Sequence, residues 1–309
     1  MNEEAKFSAL KTTYFLSTYR CRLISFFLTL LLIFIAGAEP KVAQPIQDAK
    51  HFSYKKASGS NLVLNAFFPF DHDPSKDKRP AVVFFFGGGW KGGNPTQFAS
   101  HCRYLASRGI VAMSADYRVN SRQGTSPFEC VMDGKSAVRW IRQNSVELGV
   151  DPSRIAAGGG SAGGHVAAAT GTITGHEEAD ENLFISSKPN AMILFNPVYD
   201  NGPDGYGQNI IGERFKEISP IHNIRKGTPP TIVFLGSEDK LIPVSTAFKF
   251  KAHMERVGSR SDLHIYEGQP HGFFNRGKNG NYYKKTVLEM DKFLVSLGWL
   301  DGKPSIKIP

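Results

Sequence analysis

Gly158-Gly159-Gly160-Ser161-Ala162-Gly163-Gly164-His165 is the stretch on which the reading of this chain turns. Ahead of it, Arg154-Ile155-Ala156-Ala157 reads as a short buried strand. Behind it, His165-Val166-Ala167-Ala168-Ala169-Thr170 reads as the start of a small-residue helix. Gly159-x-Ser161-x-Gly163 at a strand-to-helix junction is the pattern of a nucleophile elbow. Such a turn holds its serine at strained φ/ψ, and side chains at the flanking positions would collide with the neighbouring strand and helix. The result is an exposed Oγ at a helix N-terminus, where free N–H groups and the helix dipole favour developing negative charge. A glycine-rich loop with an incidental serine would read the same way, so the rest of the chain has to decide.

Strands and helices alternate outward from that point. Residues 51–55 and 61–68 alternate apolar and polar side chains around Ser58-Gly59-Ser60, which predicts an edge hairpin. Residues 71–79 are charged and read as a surface loop. Residues 81–86 are a continuous apolar run, as expected of a central strand buried on both faces. Helices are predicted over 95–108, 127–148 (stopping at Gly149), 243–257 and 282–297, and from His165 to about Thr172. Strands are predicted over 110–115, 191–195, 231–235 and 263–266. This order predicts an α/β fold, a doubly wound, mostly parallel sheet with an antiparallel N-terminal edge. Ligands of such sheets bind beyond the C-terminal strand ends. Residues 174–188 and 199–225 break the alternation, and 199–225 reads as a small lid or pocket wall.

Ser161 needs a base that is itself oriented by a third group. His271, in the loop after the last predicted strand, is the candidate base. Asp239, in the loop after residues 231–235, is the candidate acid. Ser161, Asp239 and His271 follow in the order Ser, Asp, His, each just beyond a strand. Glu238 is the neighbouring alternative acid; successive loop residues point differently, so only one can face His271. His165 lies one helical turn past Ser161 and reads as a packing histidine, while His101, His222 and His264 read as surface or structural. The N–H groups of Gly88 and Gly89, after the central strand, and of Ala162 form the candidate oxyanion hole. Trp90 is either a sugar-stacking or acyl-pocket residue or packing beneath that loop.

Phe86-Gly87-Gly88-Gly89-Trp90, Asp116-Tyr117-Arg118, Gly159–Gly163, Gly236-Ser237-Glu238-Asp239 and Pro270-His271-Gly272 together resemble an alpha/beta-hydrolase esterase of the hormone-sensitive-lipase kind. More narrowly, they resemble the secreted acetyl-xylan/feruloyl esterase-like (BD-FAE-like) carbohydrate esterases. The resemblance covers about residues 50–298 and implies a serine esterase acting on short acyl esters, acetyl foremost, of carbohydrates such as acetylated xylan. It implies no metal or organic cofactor. Phe86 stands where the lipase-type loop has histidine, so that loop must be braced differently here. The resemblance also suggests that Asp116 and Asp133 brace active-site loops, although both read equally as helix-flanking or turn carboxylates.

The chain has 309 residues, 41% hydrophobic and 21% charged, an ordinary globular composition with room for one large α/β domain. Lys6, Lys11, Arg20 and Arg22 precede an apolar run over residues 23–36, and Ala36-Gly37-Ala38 is an A-x-A cleavage pattern. A run of about fourteen residues is shorter than the roughly 17–25 of a membrane span. Residues 1–38 are therefore expected to be a signal peptide, 39–50 a linker and 51–309 the catalytic domain. Export to the periplasm or the extracellular space follows from that reading, with an uncleaved anchor as the alternative and no membrane segment after cleavage. The formal charge of +9 is not gathered into a basic helix or an aromatic–arginine stretch, so nucleic-acid binding is not indicated. Attraction to acidic polysaccharide, screened by salt, is the weaker reading of that charge. Cys102 and Cys130 are either a disulfide, which an oxidising compartment permits, or two buried thiols. Neither has zinc-ligand spacing with histidines.

Two other functions share these features. A prolyl-oligopeptidase-like serine peptidase has the same triad, but no propeller domain precedes this one. A non-catalytic alpha/beta-hydrolase binding protein usually lacks a triad member, and here all three candidates are present.

Overall fold

The computed structural model describes residues 46–307. The expected signal peptide, and the expected linker up to residue 45, lie outside the described residues. Eight strands form one sheet in the order β1-β2-β4-β3-β5-β6-β7-β8. They are β1 Lys50–Ala57, β2 Ser60–Phe67, β3 Arg79–Phe85, β4 Val111–Ala115, β5 Val150–Gly160, β6 Ala191–Phe195, β7 Thr231–Gly236 and β8 Ser261–Tyr266. The β1–β2 and β2–β4 pairs are antiparallel and every other pair is parallel. This is the expected doubly wound sheet with its antiparallel edge, the alpha/beta-hydrolase architecture.

Five helices cover it: α1 Ala99–Ser107, α2 Pro127–Gln143, α3 Ala162–Thr172, α4 Val244–Arg256 and α5 Gly280–Ser296. Central strand β3 divides its side chains by the period of two. Val83 and Phe85 enter the core shared with α2, α3 and α4, while Val82 and Phe84 enter the core shared with α1 and α5. Helix α3 is buried along its whole length, which its run of Gly, Ala and Thr permits by letting the sheet and α2 approach closely. Cys130 lies in the first core and Cys102 in the second, so the sheet stands between two buried, unbridged thiols.

Two predicted helices are shorter than expected. Residues 95–98 form a 3-10 turn capped by Asn94 before α1 begins. Helix α2 ends at Gln143, not at 148, because Asn144 and Ser145 fold back on the last helical carbonyls and the chain turns into β5. Strand register then places the loops that matter. Phe85 of β3 pairs with Gly159 of β5, so the glycines after β3 emerge beside Ser161. Gly236 of β7 pairs with Tyr266 of β8, which sets the loops carrying Asp239 and His271 side by side.

Candidate active site

Ser161 sits between β5 and α3 with φ 55° and ψ −121°. A Cβ on Gly163 would lie 2.1 Å from the carbonyl oxygen of Phe85, so only glycine lets α3 pack this close beneath the turn. Trp90 and Asn196, in the loops after β3 and β6, also hold positive φ, at 58° and 34°. Backbone strain of about 1–3 kcal/mol per residue is thus concentrated where these three loops meet.

The three predicted side chains come together. The His271 ring lies 2.9 Å from Ser161 Oγ through Nε2 and 2.7 Å from Asp239 Oδ2 through Nδ1. With its proton on Nδ1, His271 donates to Asp239 and leaves Nε2 to accept from the serine hydroxyl. The Asp239 side chain is fully buried, and its Oδ1 accepts the backbone N–H groups of Leu241 and Ile242 at 2.9 and 3.0 Å. Glu238, the alternative acid, is exposed. Asn196 Oδ1 accepts the N–H of Gly272 at 2.9 Å and so fixes the residue next to His271.

Ser161 and His271 open into a cleft of ≈ 440 Å³, walled by Gly88, Gly89, Tyr206, Leu241 and Phe274, with exposed Lys278 on its lining. Among the described residues, the N–H groups of Gly88, Gly89 and Ala162 donate no hydrogen bond within the protein. Gly88, at φ 138°, takes a conformation closed to other residues, and a Cβ there would meet the Gly92 carbonyl at 2.2 Å. Tyr206 makes the 199–225 stretch a wall of the cleft, and buried Tyr199, Asn201, Phe215, Ile218 and Ile221 anchor that wall to the core.

Trp90 is corrected as a pocket residue. It is 1% exposed and does not line the cleft. Its ring packs under the glycine loop, edge-on to His165 and against Tyr206, with centroids 5.2 and 5.9 Å away. Its indole N–H donates to His165 Nδ1 at 3.3 Å, leaving His165 Nε2 to donate to the Ile218 carbonyl at 2.8 Å. Burial pushes the His165 pKa down to about 4, offset in part by the bond to Ile218. With both nitrogens engaged and no access to solvent, His165 is a packing residue. His101 is likewise buried, surrounded by aromatic rings, and burial lowers its pKa to about 3.

The bracing that Phe86 cannot supply comes from residues the sequence did not single out. Gln97 Oε1 accepts the Gly87 N–H at 2.7 Å, and Gln97 Nε2 donates to Asn275 Oδ1 at 2.9 Å. Asn275 Nδ2 then donates to the Gly272 carbonyl at 2.8 Å. One chain of neutral amides therefore ties the glycine loop to the histidine loop. Phe86 stacks on Tyr117 at 4.2 Å, and the Tyr117 hydroxyl donates to the Phe86 carbonyl at 2.6 Å.

Asp116 and Asp133 brace the adjoining loop. Asp116 pairs with Arg122 at 2.5 Å, and Asp133 with Arg118 at 2.7 Å and Lys55 at 2.6 Å. The loop so held donates from Asn120 N to the Trp90 carbonyl at 2.9 Å and from Ser121 N to the Lys91 carbonyl at 2.8 Å.

The chain is similar to known families and solved structures. Residues 70–203 match the BD-FAE family and residues 204–296 the Dienelactone hydrolase family. Esterase 2 of Thermogutta terrifontis, in its apo form, superposes with a TM-score of 0.81 at 46% identity, covering 84% of this chain and 98% of that one. The chain belongs to the alpha/beta-hydrolase esterases. These are carboxylic ester hydrolases. Esterase LipC of Mycobacterium tuberculosis is 30% identical over 63% of this chain and 53% of its own length. Acetylxylan esterase of Xylanibacter ruminicola is 26% identical over 84% and 52%. The chain spans about half the length of those two relatives.

Proposed function

We propose that this chain is an exported serine carboxylesterase that removes short acyl groups, acetyl foremost, from carbohydrate esters. The observation that carries the reading is the unbroken line from buried Asp239 through His271 to Ser161 Oγ, opening into a cleft beside three unengaged N–H groups. His271 Nε2 takes the hydroxyl proton as Ser161 Oγ attacks the ester carbonyl carbon. The developing oxyanion accepts from Gly88, Gly89 and Ala162, each such donor being worth about 2.7–4 kcal/mol to the transition state. Asp239 stabilises the imidazolium, which passes its proton to the departing alcohol oxygen. A water, deprotonated by His271, then attacks the acyl-serine and releases the acid.

Two observations favour a small acyl group. Tyr206, Leu241 and Phe274 line a cleft of only ≈ 440 Å³, and Thermogutta esterase 2 has been solved with propionate and with butyrate bound. The acetylxylan esterase relative supports a carbohydrate ester. The basic lead, apolar run and Ala36-Gly37-Ala38 support export. N-terminal sequencing of the exported protein is expected to begin at Glu39, and a protein retaining Met1 contradicts cleavage. For the activity, hydrolysis of acetyl, butyryl, octanoyl and feruloyl esters and of acetylated xylan is compared with the Ser161→Ala protein. Turnover is expected to be highest on acetyl, to fall with chain length and to vanish in the variant. Equal turnover on octanoyl esters, or none on acetylated xylan, contradicts the substrate assignment.

A further inference from the structure

A second cleft, of ≈ 290 Å³, lies at the far end of α3 from Ser161. Thr170, Gly171 and Ile173 form one side of it and the 174–188 loop the other, with Lys135, Arg139, Lys188 and Arg225 lining it. Two of these cations are compensated within the protein: Lys135 pairs with Glu177, and Arg139 with Glu177 and Glu181. Lys188, Arg225 and neighbouring Arg142 pair with no carboxylate among the described residues. Each donates only to neutral oxygens: Lys188 to the Gly227 carbonyl, Arg225 to the Thr172 carbonyl, and Arg142 to carbonyls that include Pro152 and Lys188, and to the Asn190 side chain. Lys188 and Arg225 therefore line a concave surface on which the one carboxylate, Glu177, is already paired with Lys135 and Arg139, and Arg142 adds a third unpaired cation nearby. Burial, with the Arg225 charge added, lowers the Lys188 pKa. Burial also lowers that of Lys135, despite Glu177, with Arg139 and Arg225 contributing. An anion seated between Lys188 and Arg225 would reverse that penalty. Thr174 and Ser186 add hydroxyls to the lining, and exposed Leu183 and Phe184 give it an apolar side. Large apolar side chains left exposed together beside a cleft are a mark of a binding surface.

We infer that this cleft binds an oxyanion, a carboxylate or sulfate carried on a sugar unit, with Lys188 and Arg225 holding the charge and Phe184 facing the ring. It goes beyond the esterase reading and is independent of it. Its ligand class is an acidic glycan, and a free inorganic anion shares the same chemistry. Both cations are exposed, so replacing either leaves the core intact.

The test is calorimetric titration at fixed ionic strength with three probes: an oligogalacturonate, a neutral xylo-oligosaccharide of equal length, and inorganic sulfate. The wild type is expected to bind the oligogalacturonate at least about tenfold more tightly than the neutral chain, and to lose affinity as KCl is raised. Lys188→Gln and Arg225→Gln are each expected to weaken that binding about tenfold. Phe184→Ser is expected to weaken the oligogalacturonate and leave sulfate unchanged. Sulfate binding that is lost in Lys188→Gln, without oligogalacturonate binding, upholds the oxyanion site and assigns it to a free ion. Equal binding of acidic and neutral chains, with no sulfate binding, overturns the proposal. So does anion binding that is unchanged in both cation variants. Turnover of a small neutral ester is expected to be the same in all these proteins, so failure of the esterase reading leaves this test standing.

Discussion

Around the N-terminus of α3 the chain surrounds Ser161 with glycines, backbone N–H groups and the neutral amides of Gln97, Asn196 and Asn275. Around its C-terminus, eleven residues and roughly 16 Å away by helical rise, it gathers Lys135, Arg139, Lys188 and Arg225 about Glu177. The contrast follows from what each end has to do. In the proposed reaction charge develops at the first end, where fixed dipoles meet the oxyanion and the single buried carboxylate of Asp239 meets His271. At the other end the helix presents unsatisfied carbonyls and the negative pole of its dipole; Arg225 donates to the Thr172 carbonyl, and Lys135 donates to the Gly175 carbonyl in the loop just beyond the helix. Dipoles and one buried carboxylate serve the reacting end, and a network of ion pairs the anchoring end.

If that division is right, single substitutions at the two ends fail differently. Asp239→Asn leaves the shape of the site but favours the wrong His271 tautomer. It is expected to lower kcat about 10⁴-fold with an unchanged melting temperature. At the charged end, Arg139→Met leaves Glu181 half-buried without a partner and Glu177 with Lys135 alone. It is expected to cost about 3 kcal/mol of stability in urea unfolding while kcat per folded molecule stays at the wild-type value. A large fall in kcat there would erase the distinction between the ends.

The neutral amide chain sharpens the comparison. Gln97→Met and Asn275→Leu are each expected to lower kcat about 10–100-fold with KM little changed, because each frees the glycine loop from the histidine loop. The double variant is expected to be no worse than the single ones, as for two links of one chain. Multiplying defects would show that the two residues act separately.

Acid pH probes both ends at once, and the effect per group is the smallest. His101 and His165 have folded pKa values of about 3 and about 4 against an ordinary 6.5, so the unfolded chain binds more protons between those values. Stability is then expected to fall as pH drops below about 6.5. Glu177 and Glu178 are shifted the other way in cause. Burial raises their pKa, but the bonds to Arg139 and Lys135, and to Lys55 and Arg118, more than offset it. Their contribution is present above the ordinary 4.5 and is lost below it. Urea midpoints between pH 7.5 and 3.5 should decline in two stages, and His101→Leu should flatten the upper one. A flat profile down to pH 5 contradicts the buried neutral histidines.

Much of this was legible in the sequence because it depends on local rules. The period of the apolar runs placed all eight strands, and the glycines around Ser161 announced a turn that no other residue allows. Asp239 and His271 were readable because a parallel sheet puts the loop after each strand at the same edge. What escaped was set by partners distant in sequence. Gln97 and Asn275 meet across 178 positions, and nothing in either neighbourhood marks the bond. Trp90, beside three glycines, reads equally as a ligand-facing aromatic or as packing beneath the loop. Only the positive φ at Trp90 and the presence of His165 beneath it turn the ring inward. Helix α2 ends early because Asn144 folds back on the carbonyl of Trp140, a side-chain choice that helical periodicity does not register.

Ser161, activated by His271 and Asp239, is proposed as the nucleophile of an ester hydrolase. The most direct test is stoichiometric labelling with an organophosphonate serine probe, followed by peptide mass mapping, alongside acetyl-ester turnover of the same sample. One label per chain on Ser161 is expected, with loss of turnover in proportion to labelling and neither label nor turnover in Ser161→Ala. Full acetyl-ester turnover by a Ser161→Ala protein, or a label on any other residue, would contradict it.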